Sequence, residues 1–131
     1  MKRPSDLLGL LAGAVMALSF LPHSLLGWPA LRDQLAATGA GADLVAGVMI
    51  GWQFGGVAML AFGLIVITTF VDRLRGERPP LLPVRSIALL YVLFGAWGLL
   101  VSGGSLFFLV FLLPGLLTGI AAHRPPAAAT S

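Results

Sequence analysis

The sequence predicts an all-α, polytopic membrane domain: a four-helix bundle with a short interfacial helix in its first, outer loop. Three features predict it. First, residues 7–31, 44–71 and 86–123 contain no Asp, Glu, Lys or Arg, over 25, 28 and 38 residues respectively. A charged side chain at a bilayer centre costs about 3 kcal/mol or more, so spans exclude it unless function demands it. A helix crosses in about 20 residues, so the first two stretches make one span each and the third makes two. Second, Pro, Gly and Ser stand between these stretches, where helices must stop and restart. Third, the basic residues fall almost entirely on one side of a four-span arrangement.

Taken in order, the first span covers about 5–26. Ser5 can cap it, Asp6 suits the positive end of its dipole, and Pro22 kinks or ends it. Pro29 then starts a short helix with Trp28, Leu31 and Leu35 on one side, closed by Gly39. Such a helix lies in the membrane interface, apolar face down. The second span covers about 43–71 with Asp43 as its cap, longer than a bilayer requires, so it tilts or projects. Pro79, Pro80 and Pro83 separate it from the third span, 84–101. Ser102-Gly103-Gly104-Ser105 makes a tight connection to the fourth, 105–122, where Pro114 predicts a kink. A Pro/Ala-rich tail, 123–131, completes a single transmembrane domain over 1–131. Lys2 and Arg3 before an apolar run resemble a signal peptide, but no small-x-small site follows the run, so it is read as a retained span.

Lys2, Arg3, Arg73, Arg75, Arg78, Arg85 and Arg124 fall on one side, and Arg32 alone on the other. The positive-inside rule then places both termini and the middle loop in the cytoplasm. Seven Arg to one Lys, with much Ala, Gly and Leu, points to a GC-rich bacterial genome and hence to the bacterial inner membrane. The composition, 58% hydrophobic and 10% charged, stands against about 45–50% and 25% in soluble domains. The absence of cysteine excludes disulfides and thiolate chemistry within the chain. The basic residues are not interleaved with aromatics, so nucleic acid is not an expected partner; the lipid bilayer is.

Lipid is as apolar as leucine, so spans associate through close contact between small residues. Gly9 and Gly13 supply these on the first span, Gly47, Gly51 and Gly55 on the second, and Gly115 and Gly119 on the fourth. The simpler reading is packing within one bundle; the sharper is a homo-oligomer through the second-span stripe.

Chemistry-bearing residues are few. His23 and His123 belong to opposite faces, and neither HExxH, a P-loop nor Gly-x-Ser-x-Gly occurs, so no metal, cofactor or catalytic residue is expected. His23 at the outer end of the first span can bind a ligand, relay a proton or satisfy free carbonyls. Trp28 and Trp52 are candidates for the same outer face, and Gln53 for interhelical bonding or a ligand contact. Tyr91 and Trp97 are candidates to line a cavity for a flat lipophilic molecule. The spans carry no carboxylate to bind a coupling ion. The favoured function is therefore a non-catalytic accessory, assembly or self-associating membrane component. The alternative is a carrier or binding protein for a neutral or lipophilic molecule, with its site around His23, Trp28, Trp52 and Gln53.

Overall fold

The computed structural model describes residues 4–123, and it is helical almost throughout. Four helices are long and apolar enough to cross a membrane: α1 (Pro4–Ala37), α2 (Ala42–Leu74), α3 (Leu82–Val101) and α4 (Leu106–His123). Lys2, Arg3, Arg124 and the rest of the expected tail lie outside the described residues.

The first helix corrects the expected boundaries. It does not end near Leu26 and give way to a loop carrying a separate short helix. It continues from an α-helix at Pro4–Leu18, through Phe20–Pro22 and a π-helical turn at His23–Gly27, directly into Trp28–Ala37. The expected short helix exists, but as an extension of the first span. Proline accounts for the widening. Pro22 and Pro29 each remove a backbone donor, and the ladder between them relaxes into wider π spacing instead of breaking. The true turn is short: Gly39 adopts φ +71°, and Ala40 N–H reaches back to Leu35 O.

α2 begins one residue earlier than expected, with Gly41 in extended conformation as its cap and Asp43 inside the first turn. Gly76, at φ +90°, terminates it while Glu77 N–H bonds Asp72 O. Pro83 opens α3, and Gly103 and Gly104, both at positive φ, turn the chain into α4. α4 starts with a 3-10 turn at Leu106–Phe108 and runs as α-helix from Leu109 to His123, continuing through the buried Pro114.

α1 packs along α2 and also against α4, and α3 packs along α4; α2 and α3 touch only slightly. Contact requires glycine where backbones meet. A Cβ on Gly95 of α3 would lie 2.6 Å from Leu112 N, and one on Gly63 of α2 would strike the Ala17 backbone. The buried core of Met16, Val66, Phe70, Val84, Ile87 and Tyr91 draws on α1, α2 and α3, and Ala121 and Ala122 close it from α4. Exposed apolar residues recur on the outer faces, as Leu7, Leu11, Val15 and Leu18 do along α1. At helical spacing these make a lipid-facing stripe.

The helices differ in length. At about 1.5 Å per residue, the 34 and 33 residues of α1 and α2 span roughly 50 Å, and the 20 and 18 of α3 and α4 span roughly 30 Å. The α1–α2 hairpin therefore extends about 20 Å farther than its partner hairpin.

Candidate functional site

Two polar clusters sit at opposite ends of the four helices. At the end carrying Arg73, Arg75, Arg78 and Arg85, the Arg73 guanidinium forms a buried ion pair with Asp6, with Nε 2.9 Å from Oδ1. Its Cζ lies 5.3 Å from the Phe70 ring centre. The Phe70 ring in turn packs against Gly9, where any side chain would collide with it. Arg85 donates from Nε and Nη2 to Ala122 O at 3.3 and 3.0 Å, covering a carbonyl that the end of α4 leaves free. Arg73 makes a longer approach to Ala121 O at 3.5 Å. α1, α2, α3 and α4 are thus tied together at one end by a single carboxylate and two guanidinium groups.

The sequence reading missed this cluster. Asp6 looked like a dipole-complementing residue, and Arg73 and Arg85 like topology signals. The available clue was topological: four spans bring the start of α1, the end of α2 and the start of α3 to the same end.

The opposite end holds the π turn. His23 stacks on Trp52 of α2 with ring centres 4.4 Å apart and planes 4° from parallel. The contact is reciprocal. His23 Nε2 lies 2.9 Å from Trp52 O, and Trp52 Nε1 donates to His23 O at 2.8 Å. A carbonyl only accepts, so Nε2 carries a proton in this contact, and in the neutral ring Nδ1 is then an acceptor. That Nδ1 is buried and has no partner among the described residues, as is the neighbouring Ser24 Oγ. Each ring rests against glycine. A Cβ on Gly27 would come 2.7 Å from the Trp52 ring, and one on Gly55 would meet His23 Nε2 at 3.5 Å.

Beside this pair lies a cavity of about 350 Å³ between α1, α2 and α4, lined by His23, Leu26, Trp52, Met59, Phe107 and Val110. Its wall is apolar apart from His23 and Ser19, and the Ser19 hydroxyl already donates to Val15 O at 2.6 Å. The space suits a hydrocarbon group rather than a charged one.

Of the four residues expected to share a site, the structure brings together His23 and Trp52. Trp28 is half-buried just past the π turn, and Gln53 is half-buried beside Trp52. Neither lines the cavity, and the Gln53 amide makes no side-chain hydrogen bond among the described residues. Tyr91 and Trp97 do not share a cavity: Tyr91 is buried between Phe62 and Phe111, and Trp97 is exposed beside Phe94.

The small residues divide clearly. Gly9 and Gly13 receive Phe70 and Ile67, and Gly115 meets Tyr91 and Val92. Gly119 has only Ala88 Cβ nearby, at 3.8 Å. Gly47 and Gly51 have nothing within 4 Å. α2 packs onto α1 through Gly56 and Gly63 instead, on a different face from Gly47 and Gly51. Comparison of the chain with protein-family models, curated proteins and solved structures finds no match.

Proposed function

We propose that this is a non-catalytic accessory, assembly or self-associating component of the bacterial inner membrane. In this reading the four helices form a bundle with both termini in the cytoplasm, and the molecule works through its helix faces. The observation that carries it is the extension of the α1–α2 hairpin, about 20 Å beyond what α3 and α4 reach. A bilayer core is about 30 Å thick, so α3 and α4 match it and the extension is surplus to spanning. On that extension Leu44, Met49 and Ile50 are exposed, and Gly47 and Gly51 leave a shallow face open to another helix. The polar groups support the same reading. Asp6 and Arg73 bind each other, Arg85 holds α4, and the donors of His23 and Trp52 are committed to the α1–α2 contact.

The chain has no cysteine, so a single Gly47→Cys or Ile50→Cys variant reports unambiguously. Oxidative or bifunctional cross-linking in native membranes should yield a discrete product, a dimer of this chain or a defined heteromer. Gly51→Leu should abolish that product while leaving the monomer folded. A cross-linking pattern unchanged by Gly51→Leu would remove α2 as the docking face.

A second reading is favoured by the cavity at the π turn and the free acceptor of His23. It makes the protein a carrier or binding protein for a lipophilic molecule bearing one hydrogen-bond donor. Organic extraction of the purified protein should then release a stoichiometric compound. His23→Ala and the cavity-filling Val110→Phe should both lose it. Gln53→Ala, off the cavity wall, should retain it.

A further inference from the structure

The face between α3 and α4 at the arginine-rich end carries a feature independent of the hairpin and of the π-turn cavity. There the two helices part to leave an open groove of about 530 Å³. Its floor is made by small residues, Ala88 on α3 and Gly119 on α4, and its walls by aliphatic side chains such as Leu89 and Leu116. The groove exists because Gly119 carries no side chain. A Cβ there would only just touch Ala88, whereas one at Gly115, a turn earlier, would collide with the α3 backbone. α3 and α4 are thus in close contact at Gly115 and separate toward Gly119.

Arg85 and His123 stand at the groove's end. The Arg85 guanidinium is fixed there by its two bonds to Ala122 O, which engage Nε and Nη2 and leave Nη1 with no protein acceptor among the described residues. Among the described residues the charge at this end is net positive by one: Arg73, Arg75, Arg78 and Arg85 stand against Asp6, Asp72 and Glu77, with Arg73 paired to Asp6 and Arg75 to Asp72. A hydrocarbon slot along the span, closed by an oriented guanidinium at the membrane surface, matches an acyl chain joined to a phosphate. A guanidinium fork binds phosphate oxygens through paired N–H donors. Basic pockets between spans at this level are suited to anionic headgroups.

We infer that the α3–α4 groove is a binding site for one anionic phospholipid, with an acyl chain over Gly119 and Ala88 and its phosphate at Arg85. A zwitterionic lipid brings the same hydrocarbon and a phosphate, but its headgroup ammonium adds a positive charge at the arginine-rich end, so the groove favours a net anionic headgroup. Free phosphate would gain the ion pair without the slot.

The test is native mass spectrometry of the full chain in mild detergent, titrated with phosphatidylglycerol or with phosphatidylcholine of identical chains. The wild type should retain one phosphatidylglycerol with a preference over phosphatidylcholine of about fivefold or more, the effect of one basic residue at a membrane surface. Excess inorganic phosphate should not displace it. Gly119→Leu extends a side chain into the slot without touching the arginines, and should lower phosphatidylglycerol retention about fivefold or more with unchanged tryptophan emission. Arg85→Gln should bring the two lipids to equal retention. Equal retention by the wild type, or undiminished retention by Gly119→Leu, would overturn the inference. Displacement by inorganic phosphate would make the feature an anion site without a lipid slot. A wild-type dimer that Gly119→Leu converts to monomer, with lipid on neither, would assign the groove to a second copy of the chain.

Discussion

The buried ion pair at the arginine-rich end makes a sharp energetic prediction. Asp6 Oδ1 and Arg73 Nε lie 2.9 Å apart, and both side chains are almost fully buried, at 3% and 8% exposure. At that separation Coulomb attraction is about 6 kcal/mol for an effective dielectric near 20, an upper value because both charges are delocalised. Desolvation of the two ions opposes it, and the net worth of such a pair against apolar residues is close to zero. Removing one partner is different, because the survivor stays buried and unpaired. Asp6→Leu leaves a guanidinium whose Nη2 has no acceptor among the described residues and whose remaining bond there, to Ala121 O, is long at 3.5 Å. Its loss should be about 3 kcal/mol, the low end for a broken buried pair, since an arginine at a helix end can partly reach water. Arg73→Met strands the Asp6 carboxylate and should cost a similar amount.

The double variant Asp6→Leu/Arg73→Met strands neither ion. It should lose well under the sum of the single losses, at most about 3 kcal/mol in total, which gives a coupling of at least about 3 kcal/mol between the sites. Unfolding by sodium dodecyl sulfate in mixed micelles, followed by tryptophan emission and circular dichroism, measures all three. A double variant that loses the sum of the single losses would refute the assignment of this pair as one energetic unit. So would single losses below about 0.5 kcal/mol, the range of ordinary surface changes.

The remaining predictions use the same unfolding titration. Trp52→Phe keeps a ring over His23 but removes the donor to His23 O, and should cost about 1 kcal/mol; no change would mean that carbonyl is satisfied some other way. Tyr91→Phe should be neutral or stabilising by up to about 1 kcal/mol, because the Tyr91 hydroxyl is buried without a partner among the described residues. Gly51→Ala should stabilise the monomer by roughly 0.5–1 kcal/mol through helix propensity, since nothing opposes its Cβ. Gly63→Ala should destabilise despite the same propensity gain, because its Cβ meets the Ala17 backbone. Equal effects at the two glycines would contradict the packing of α1 on α2.

The four long apolar helices were readable because they depend on local chemistry. Charge exclusion marks the spans, and Gly39 and Gly103 mark turns that adopt positive φ. The course of the first helix is not legible from proline alone, which can kink a helix as well as end it. Pro22 and Pro29 remove donors only from single carbonyls, and a chain in contact with α2 along its length absorbs the defect as a π turn. Hydrogen bonding to α2 then uses that turn, with the Trp52 indole on His23 O. Helix rotation was also beyond local reading. Gly47, Gly51 and Gly55 form the more regular stripe, yet of these only Gly55 meets α1, at His23, and the close contacts fall at Gly56 and Gly63, where Ser24, Phe20 and Ala17 occupy the facing positions. Which small residues are used depends on what the partner helix presents, and that is a property of two segments together.

The two clusters also explain why packing differs along the axis. At the arginine-rich end every helix terminates within reach of a charge, so carbonyls of α4 can be covered by guanidinium groups and the large core residues gather nearby. At the other end α3 and α4 stop while α1 and α2 continue, and no charged group among the described residues bridges them. The His23–Trp52 stack fastens α1 to α2 there, and nothing comparable reaches Phe107 and Val110 of α4, leaving the space between them as the cavity. Only one aromatic pair fastens the molecule at the π turn, so separation of α4 from the α1–α2 hairpin requires the least loss of contact there.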